Sequence, residues 1–285
     1  MKNNFFLQLK RTARADRLMF LVGLILVCAL LFLAIFGQII APYDPSEFVG
    51  PTNQAPNSQF LMGTDRLGRD VFSRMLSGTR WSLAVALVAI AISLSIGTYL
   101  GACSGYLRGK VDQVLLVVMD SLYAFPTFVI ALVIALMLGP GILNTAFAVA
   151  IVMIPSYYRV VRSVTLSLKE ADFVQVEKVI GASNTYIIRN HILPFLSSSL
   201  LVMTSLGAAR AILAVAGLGF LGLGIPAPTP EWGTDLNFGR SSMLSGIWWT
   251  SLFPGIMIFL SAEGFNLLSE GLDAILNPKT RRAAL

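Results

Sequence analysis

Long apolar stretches alternate with short polar ones along the whole chain. A helix rises 1.5 Å per residue, so it needs roughly 20 apolar residues to cross about 30 Å of hydrocarbon. The stretches are far longer than the alternating segments of a β-barrel, and helices satisfy their own backbone groups in lipid. The pattern predicts an all-α polytopic membrane protein with six transmembrane helices, near residues 18–41, 80–104, 115–138, 142–164, 196–223 and 247–270.

The composition agrees with this prediction. The chain of 285 residues is 55% hydrophobic and only 13% charged, with a mean hydropathy of +0.74, which excludes an ordinary soluble domain. The first apolar stretch follows basic residues, as in a signal peptide, but it is longer than the roughly 7–15 residues of a signal core, so we expect a retained anchor helix. Cys28 and Cys103 lie in apolar stretches and indicate neither a disulfide framework nor a metal site.

Lysine and arginine are concentrated in alternate loops. They precede the first span, follow the second, fill the segment between the fourth and fifth spans, and close the chain. Positive loops tend to stay in the cytoplasm, so the asymmetry predicts that both termini are cytoplasmic and that residues 42–79 and 224–246 are external. The net charge of +6 does not indicate nucleic-acid binding, because no water-facing domain gathers the basic residues.

The same boundaries predict the organisation of the chain, with no separate soluble domain. Residues 1–41 are a cytoplasmic N-terminus with its anchor helix, and residues 42–79 are an external loop. Residues 80–275 are a transmembrane domain with a cytoplasmic helix near 170–190, and residues 276–285 are a cytoplasmic tail. Gly97, Gly101 and Gly105 repeat at four-residue spacing in the second span, which favours close helix packing over a gating role. Pro126 and Pro155 lie within the third and fourth spans and predict kinks there.

The cytoplasmic segment contains a short amphipathic helix. Phe173, Val176 and Ile180 recur at i, i+3 and i+7, with Glu177 and Lys178 beside them, while Asp172 and Gly181 suit its N-cap and C′ positions. Such a stripe is typical of a helix that docks in a groove of a partner, and equally of a helix that lies on the membrane. The chain has no phosphate-binding Gly-x4-Gly-Lys-Ser/Thr loop, so we expect it not to bind ATP by that route.

Three ionisable residues lie inside apolar stretches, where each costs about 2.5–3.5 kcal/mol on insertion scales. Asp120 and Arg210 are expected to form an ion pair, with each other or with a second subunit, or else to line a translocation path. Glu263 is expected to face a water-filled pathway. We predict no catalytic residue and no metal site, and His191, the only histidine, is not expected to serve either role.

Several motifs resemble one family of transporters. The stretch 61–80, from Leu61 to Arg80, resembles the LGTDxLGRDVxSRxxxGxR signature of the peptide and nickel group of ABC importer permeases, in its C-type subunit. Residues 220–224 and 228–233 resemble that group's FLGLG and PxPEWG elements. Gly181 followed by His191-Ile-Leu-Pro194 resembles the EAA motif, although Gln175-Val176-Glu177 replaces Glu-Ala-Ala and His191 stands where the motif has isoleucine.

The resemblance implies a type I, MetI-like transmembrane domain in a bacterial or archaeal inner membrane. It implies a heterodimer with a homologous permease, two ATPase subunits that hold ATP and Mg, and an extracytoplasmic substrate-binding protein. The implied cargo is a di- or oligopeptide, with nickel or a metal chelate as the alternative. The rival function from another class is an ion-coupled secondary transporter that uses Asp120, Arg210 and Glu263 as a relay.

The resemblance also implies two sets of interaction residues. ATPase coupling is expected at Phe173, Val176, Glu177, Ile180, Gly181 and Ala182. The external residues of alternating charge are open to two interpretations, a cation site or a solvated, mutually paired loop on which the binding protein docks, and we favour the second. Docking is therefore expected at Asp65, Arg69, Asp70, Glu231 and Trp232.

Overall fold

A computed structural model describes residues 13–276, and within that range the chain is helical without any strand. The helices are α1 Arg14–Ile40, α2 Val71–Leu107, α3 Gly109–Ala124, α4 Thr127–Leu138, α5 Ile142–Lys169, α6 Asp172–Val179, α7 Asn184–Ile187, α8 Leu193–Phe220, α9 Trp232–Met243 and α10 Trp249–Leu276, with a π-helical turn at Ile188–Ile192 before α8. The predicted all-α class is confirmed. The termini assigned to the cytoplasm lie outside the described residues.

Five helical segments are individually long and apolar enough to span a membrane. The third predicted span is instead a broken pair, α3 and α4, which meet at an angle of 96°. The break falls at Phe125–Pro126, where Phe125 is extended with φ −97° and ψ 152°. Proline lacks a backbone donor and disfavours helical geometry in the residue before it, so the predicted kink is a complete interruption. At Pro155, by contrast, α5 continues unbroken.

Helix α2 begins nine residues before its predicted apolar span, at Val71 rather than near residue 80. Its first turns are polar, yet Ser73, Ser77 and Thr79 are buried there. These turns are covered by folded loops and not by lipid, so their side chains need not be apolar. A search for apolar stretches therefore does not detect this part of the helix. The external loop predicted at 42–79 therefore ends in a helix.

Close helix contacts depend on glycine where α2 crosses α5. A Cβ added at Gly97 would lie 2.6 Å from the Tyr157 Cβ, and one at Gly101 would lie 2.7 Å from the Tyr158 carbonyl oxygen. Such distances are shorter than van der Waals contact. The predicted packing role of these glycines is confirmed, because lipid supplies no hydrophobic drive between helices and close approach has to hold them together.

The anchor helix α1 packs along α10 by the same device. Gly23 approaches the backbone of Leu268, and Gly271 approaches the backbone of Phe20. Helix α1 also contacts α2 where Gly37 meets the Leu76 carbonyl. The first apolar stretch is thus an integral part of the helix assembly, as expected for a retained anchor.

Candidate functional site

A cavity of about 490 Å³ lies between α4, α5 and α8, with Tyr123 at the end of α3 at its edge. Its wall is mainly apolar, with a few polar groups. The lining residues are Tyr123, Thr127, Phe128, Ala131, Val149, Val152, Met153, Ser156, Tyr157, Met203, Leu206, Gly207, Arg210, Leu213 and Ala214.

Helical periodicity explains why these side chains face one space. On α8, Met203, Leu206, Arg210 and Leu213 recur every three or four residues and so share one face. The α5 residues of the cavity follow the same spacing. The faces of both helices converge on the cavity, while the short helix α4 closes its side.

Arg210 lies on the α8 face toward this cavity and is exposed. The predicted ion pair with Asp120 is wrong, because Asp120 binds Arg159, whose Nη2 lies 2.8 Å from its Oδ1. The Arg159 guanidinium also stacks on Tyr123, 4.0 Å from the ring centroid. The break at Pro126 leaves α3 packed against α5, so the nearest cation to Asp120 is on α5 and not on α8.

Among the described residues, neither Arg210 nor Glu263 forms an ion pair. Glu263 is half-buried on α10, a helix that contributes no residue to the cavity. Glu263 is therefore not part of this cavity, and its place at the cytoplasmic half of a water-filled pathway stays a prediction. Of the three intramembrane ionisable residues, Arg210 alone lines the cavity.

The short helix α6 lies where the sequence predicts it and presents its apolar stripe to solvent. Phe173, Val176 and Ile180 are 43%, 59% and 71% exposed, whereas Val174 is fully buried in a cluster with the start of α8. Val179, which the stripe pattern omitted, is the most exposed of this group at 86%. One face of the helix is thus packed against the transmembrane helices through Val174, and its opposite, apolar face is exposed.

The end of α6 has the predicted glycine geometry. Gly181 has φ +88°, and the Ala182 N–H donates to the Glu177 carbonyl at 3.0 Å, which closes the last turn. At the other end the N-cap is Ala171 rather than Asp172, which stands in the first turn. A carboxylate there still interacts favourably with the helix dipole.

The two departures from the EAA motif meet in space. Glu177 Oε1 lies 3.2 Å from His191 Nε2, which joins α6 to the π-helical turn before α8. The His191 ring also contacts the rings of Phe173 and Tyr186, with centroid distances of 6.4 and 5.8 Å. Glu177, which stands where the motif has its second alanine, therefore contacts the histidine that replaces the motif's isoleucine.

A polar network that the sequence analysis missed connects α3 to α5. Arg162 donates two hydrogen bonds to Asp112, from Nε at 2.6 Å and from Nη2 at 2.7 Å, and Ser104 donates to the same carboxylate. Tyr158 joins Ser104 with 2.7 Å between the hydroxyl oxygens. The only sequence signal was an acid beside a basic loop, which does not identify a partner fifty residues away.

The two loops predicted to be external form a folded layer over the helix ends, here called the loop cap and comprising residues 41–70 and 221–248. The Trp249 indole donates to the Thr64 carbonyl at 3.0 Å, and the Trp232 indole donates to the Met75 carbonyl at 3.2 Å. Both tryptophans are buried. Each joins the loop cap to a long helix.

The expected docking surface is corrected, because all five of its residues are buried within the loop cap. Arg69 pairs with Asp65 at 2.6 Å, and Asp70 caps α2 by accepting from the Ser73 N–H at 2.8 Å. The loop is mutually paired, as predicted, but it is not solvated. The alternative of a cation site has no support either, since the described residues hold no group of three His, Cys, Asp or Glu suited to a metal.

Glu231 and Trp232 are likewise structural. Glu231 is fully buried and caps α9, accepting hydrogen bonds at 2.8 Å from the N–H groups of Gly233 and Thr234. Burial raises the pKa of Glu231, and these hydrogen bonds oppose the rise. Trp232 fills the interior beside Gly78, where a Cβ would lie 3.2 Å from the indole.

Arg74 is the central residue of the loop cap, and the sequence analysis did not single it out. Its Nε donates to Asp235 at 3.0 Å, and its Nη1 donates to the carbonyls of Pro45 and Pro228 at 2.7 and 3.3 Å. Both charged side chains are nearly excluded from solvent, at 2% and 7% exposure. One guanidinium thus joins the first loop, α2, the second loop and α9.

Comparison with known proteins places these features in a family. Residues 93–282 match the model of the binding-protein-dependent transport system inner membrane component, and residues 17–61 match the N-terminal TM domain of oligopeptide transport permease C.

Full-length relatives agree with the two family matches. The chain is 40% identical to the dipeptide transport system permease protein DppC of Alkalihalophilus pseudofirmus, over 97% of this chain and 89% of the relative. It is 38% identical to the di/tripeptide transport system permease protein DppC of Pseudomonas aeruginosa, over 92% and 88%. It is 41% identical to the glutathione transport system permease protein GsiD of Escherichia coli O157:H7, over 92% and 87%.

Proposed function

This chain belongs to the family of inner membrane components of binding-protein-dependent transport systems, and we propose that it forms half of a transmembrane pathway that imports di- or oligopeptides. Members of this family are permease subunits of ABC importers, not enzymes, and ATP is hydrolysed by separate subunits. The chain is accordingly a multi-pass protein of the bacterial inner membrane.

The cavity between α4, α5 and α8 is the observation that carries the proposal. This chain supplies its lining from α3, α4, α5 and α8, and a homologous permease would supply the opposing wall. Its apolar lining accepts side chains of varied size without demanding a particular partner for each. That property suits a cargo such as a peptide, whose side chains vary while its backbone does not.

Peptide cargo is also supported by the relatives, which are permeases for dipeptides, di- and tripeptides, and glutathione. Nickel is the weaker alternative. A nickel path would need imidazole, thiolate or carboxylate ligands, and the described residues contain no cluster of three such groups.

The rival mechanism, ion-coupled transport, is not supported by the positions of Asp120, Arg210 and Glu263. Asp120 is neutralised by Arg159, Glu263 is on a helix outside the cavity wall, and Arg210 stands apart from both. A proton or ion relay requires groups within hydrogen-bond reach of one another or of intervening water. An external ATPase motor is the better-supported source of energy.

We further propose that α6 transmits the ATPase motion. Its stripe of Phe173, Val176 and Ile180 is exposed while Val174 holds the helix to the transmembrane domain, which is the arrangement of a helix that inserts into a partner's groove. Glu177 and Ala182 set the helix end through His191 and the Gly181 turn. ATP and Mg would be held entirely by the two ATPase subunits.

The orientation follows from the charge asymmetry, with both termini cytoplasmic and the loop cap external. The substrate-binding protein would then dock on the exposed residues of the loop cap. Phe48, Leu61 and Leu244 are 71%, 60% and 97% exposed there, whereas the five buried residues support the surface from within.

Reconstitution tests the proposed function. The chain, its partner permease and both ATPase subunits are placed in vesicles, and uptake of radiolabelled dipeptides, tripeptides and nickel is measured with the binding protein outside. We expect peptide uptake that requires ATP. Uptake that survives ATP removal and collapses with the proton gradient would establish the rival mechanism, and ATP-driven uptake of nickel alone would establish the metal alternative.

A further inference from the structure

We propose that Arg210 binds the carboxylate of the translocating peptide and thereby makes the pathway selective for cargo with a free carboxyl group. The inference rests on the proposed function. It assigns to one residue a recognition role inside the membrane, separate from selection by the binding protein.

The depth of Arg210 is the first observation. It lies ten residues before the end of α8 at Phe220, which corresponds to about 15 Å along the helix axis. An arginine so far from either end of a membrane helix is costly, and such residues generally face a cavity and serve the transported species. Arg210 meets this description because it is exposed on the cavity wall.

The second observation is the absence of a counter-charge. None of the residues that line the cavity is acidic, and the predicted partner, Asp120, is held by Arg159 at 2.8 Å. Within residues 13–276, the Arg210 guanidinium therefore has no acidic partner and can bind an anion that enters the cavity. The lining contributes a single positive charge and no negative one.

The surroundings of Arg210 suit a carboxylate. A guanidinium offers paired donors that match the two oxygens of a carboxylate, and such hydrogen bonds are strong where water is scarce. Gly207 lies one turn earlier on the same face, and the Tyr157 hydroxyl packs against it, since an added Cβ would lie 2.5 Å from that oxygen. Around this polar spot the wall is apolar, formed by residues such as Phe128, Leu206 and Leu213.

The cavity treats the two parts of a peptide differently: its variable side chains and its constant terminal carboxylate contact different groups. Side chains meet an apolar wall with little selectivity, while the terminal carboxylate, present in every unmodified peptide, meets the one charge. A pathway of this kind accepts many sequences and disfavours cargo without the anion.

The test compares matched peptides in the full transporter reconstituted in vesicles. A tripeptide with a free carboxyl terminus and its C-terminal amide are each presented as a preloaded complex with the binding protein, and the loaded fraction is measured so that delivery is equal. Uptake rates are taken for the unmodified chain, Arg210→Gln and Arg210→Lys. Arg240→Gln is the control, because Arg240 is an exposed arginine on α9 outside this cavity.

We expect Arg210→Gln to lower uptake of the free peptide about tenfold, as for loss of a charge-assisted hydrogen bond, and to leave the amide unchanged. Arg210→Lys should restore part of the preference, and Arg240→Gln should retain all of it. Equal loss for both peptides in Arg210→Gln would overturn the inference. So would failure of Arg210→Gln to assemble with its partner permease, because Arg210 would then be the counter-ion of a partner acid.

The proposed function fails differently. If the unmodified transporter imports neither the free peptide nor the amide although ATP is hydrolysed, the peptide function is wrong. If it imports both peptides and the substitution has no selective effect, only the role of Arg210 is wrong.

Discussion

The buried pair between Arg74 and Asp235 should be the main energetic link of the loop cap. The two residues are separated by 161 positions in the sequence, and the guanidinium also binds the carbonyls of Pro45 and Pro228. Replacing Arg74 by methionine keeps an unbranched apolar chain but removes every donor. The Asp235 carboxylate would then be buried without a counter-charge.

The structure sets the size of the expected loss. Removing one partner of a buried ion pair costs roughly 3–5 kcal/mol, and both groups here are almost excluded from water. Asp235→Asn should cost about 2–4 kcal/mol, because the guanidinium keeps its two proline carbonyls and an amide oxygen. The double variant should be less destabilised than the sum of the two by about 1–3 kcal/mol, since neither charge is left alone.

Pulse proteolysis of the protein in lipid nanodiscs measures these values. Increasing urea unfolds the loop cap, a brief protease pulse cleaves the opened segment 41–70, and the intact fraction gives its free energy of unfolding. Arg66→Met is the control, because Arg66 is exposed and stacks on Phe238 at 4.5 Å, and it should cost less than about 1 kcal/mol.

Additivity would refute the reasoning. If the double variant loses the sum of the two single losses within about 0.5 kcal/mol, the charges do not interact. A loss for Arg74→Met no larger than that for Arg66→Met would show that the loop cap does not depend on the pair.

Three further predictions concern coupling, packing and topology. Aspartate at both Phe173 and Ile180, which are exposed, should leave membrane insertion intact and release the ATPase subunits in a pull-down; a complex that stays assembled and fully coupled would return α6 to a surface helix. Gly101→Val should separate α2 from α5, because a Cβ already meets the Tyr158 carbonyl at 2.7 Å, and should cost at least about 2 kcal/mol in thermal unfolding; an unchanged melting temperature would contradict the packing. Single cysteines at Ser58 and Thr280 should differ toward an impermeant thiol reagent on intact cells, with only the former labelled; the reverse pattern would invert the topology.

Much of the helical framework is a local property, and the sequence determined it. Hydropathy over about 20 residues identified the spans, glycine at four-residue spacing predicted close packing of α2, and proline predicted a bend at Pro126, where the structure has an interruption. The exposed stripe of α6 and the positive φ of Gly181 followed equally from short-range periodicity and turn chemistry. Each of these features depends on residues within a few turns of one another.

The partners of the charged residues were decided only by tertiary structure. Asp120 was predicted to pair with Arg210, but the interruption at Pro126 leaves it beside Arg159, 39 residues away in the sequence. The acids and bases of the two loops that form the loop cap have the charge pattern of a solvated surface, yet Asp65, Arg69, Asp70 and Glu231 are buried inside it. A charge pattern in sequence does not record whether water remains around it, because exclusion of water depends on segments that lie far apart in the chain, and that exclusion separates a docking surface from a buried ion pair.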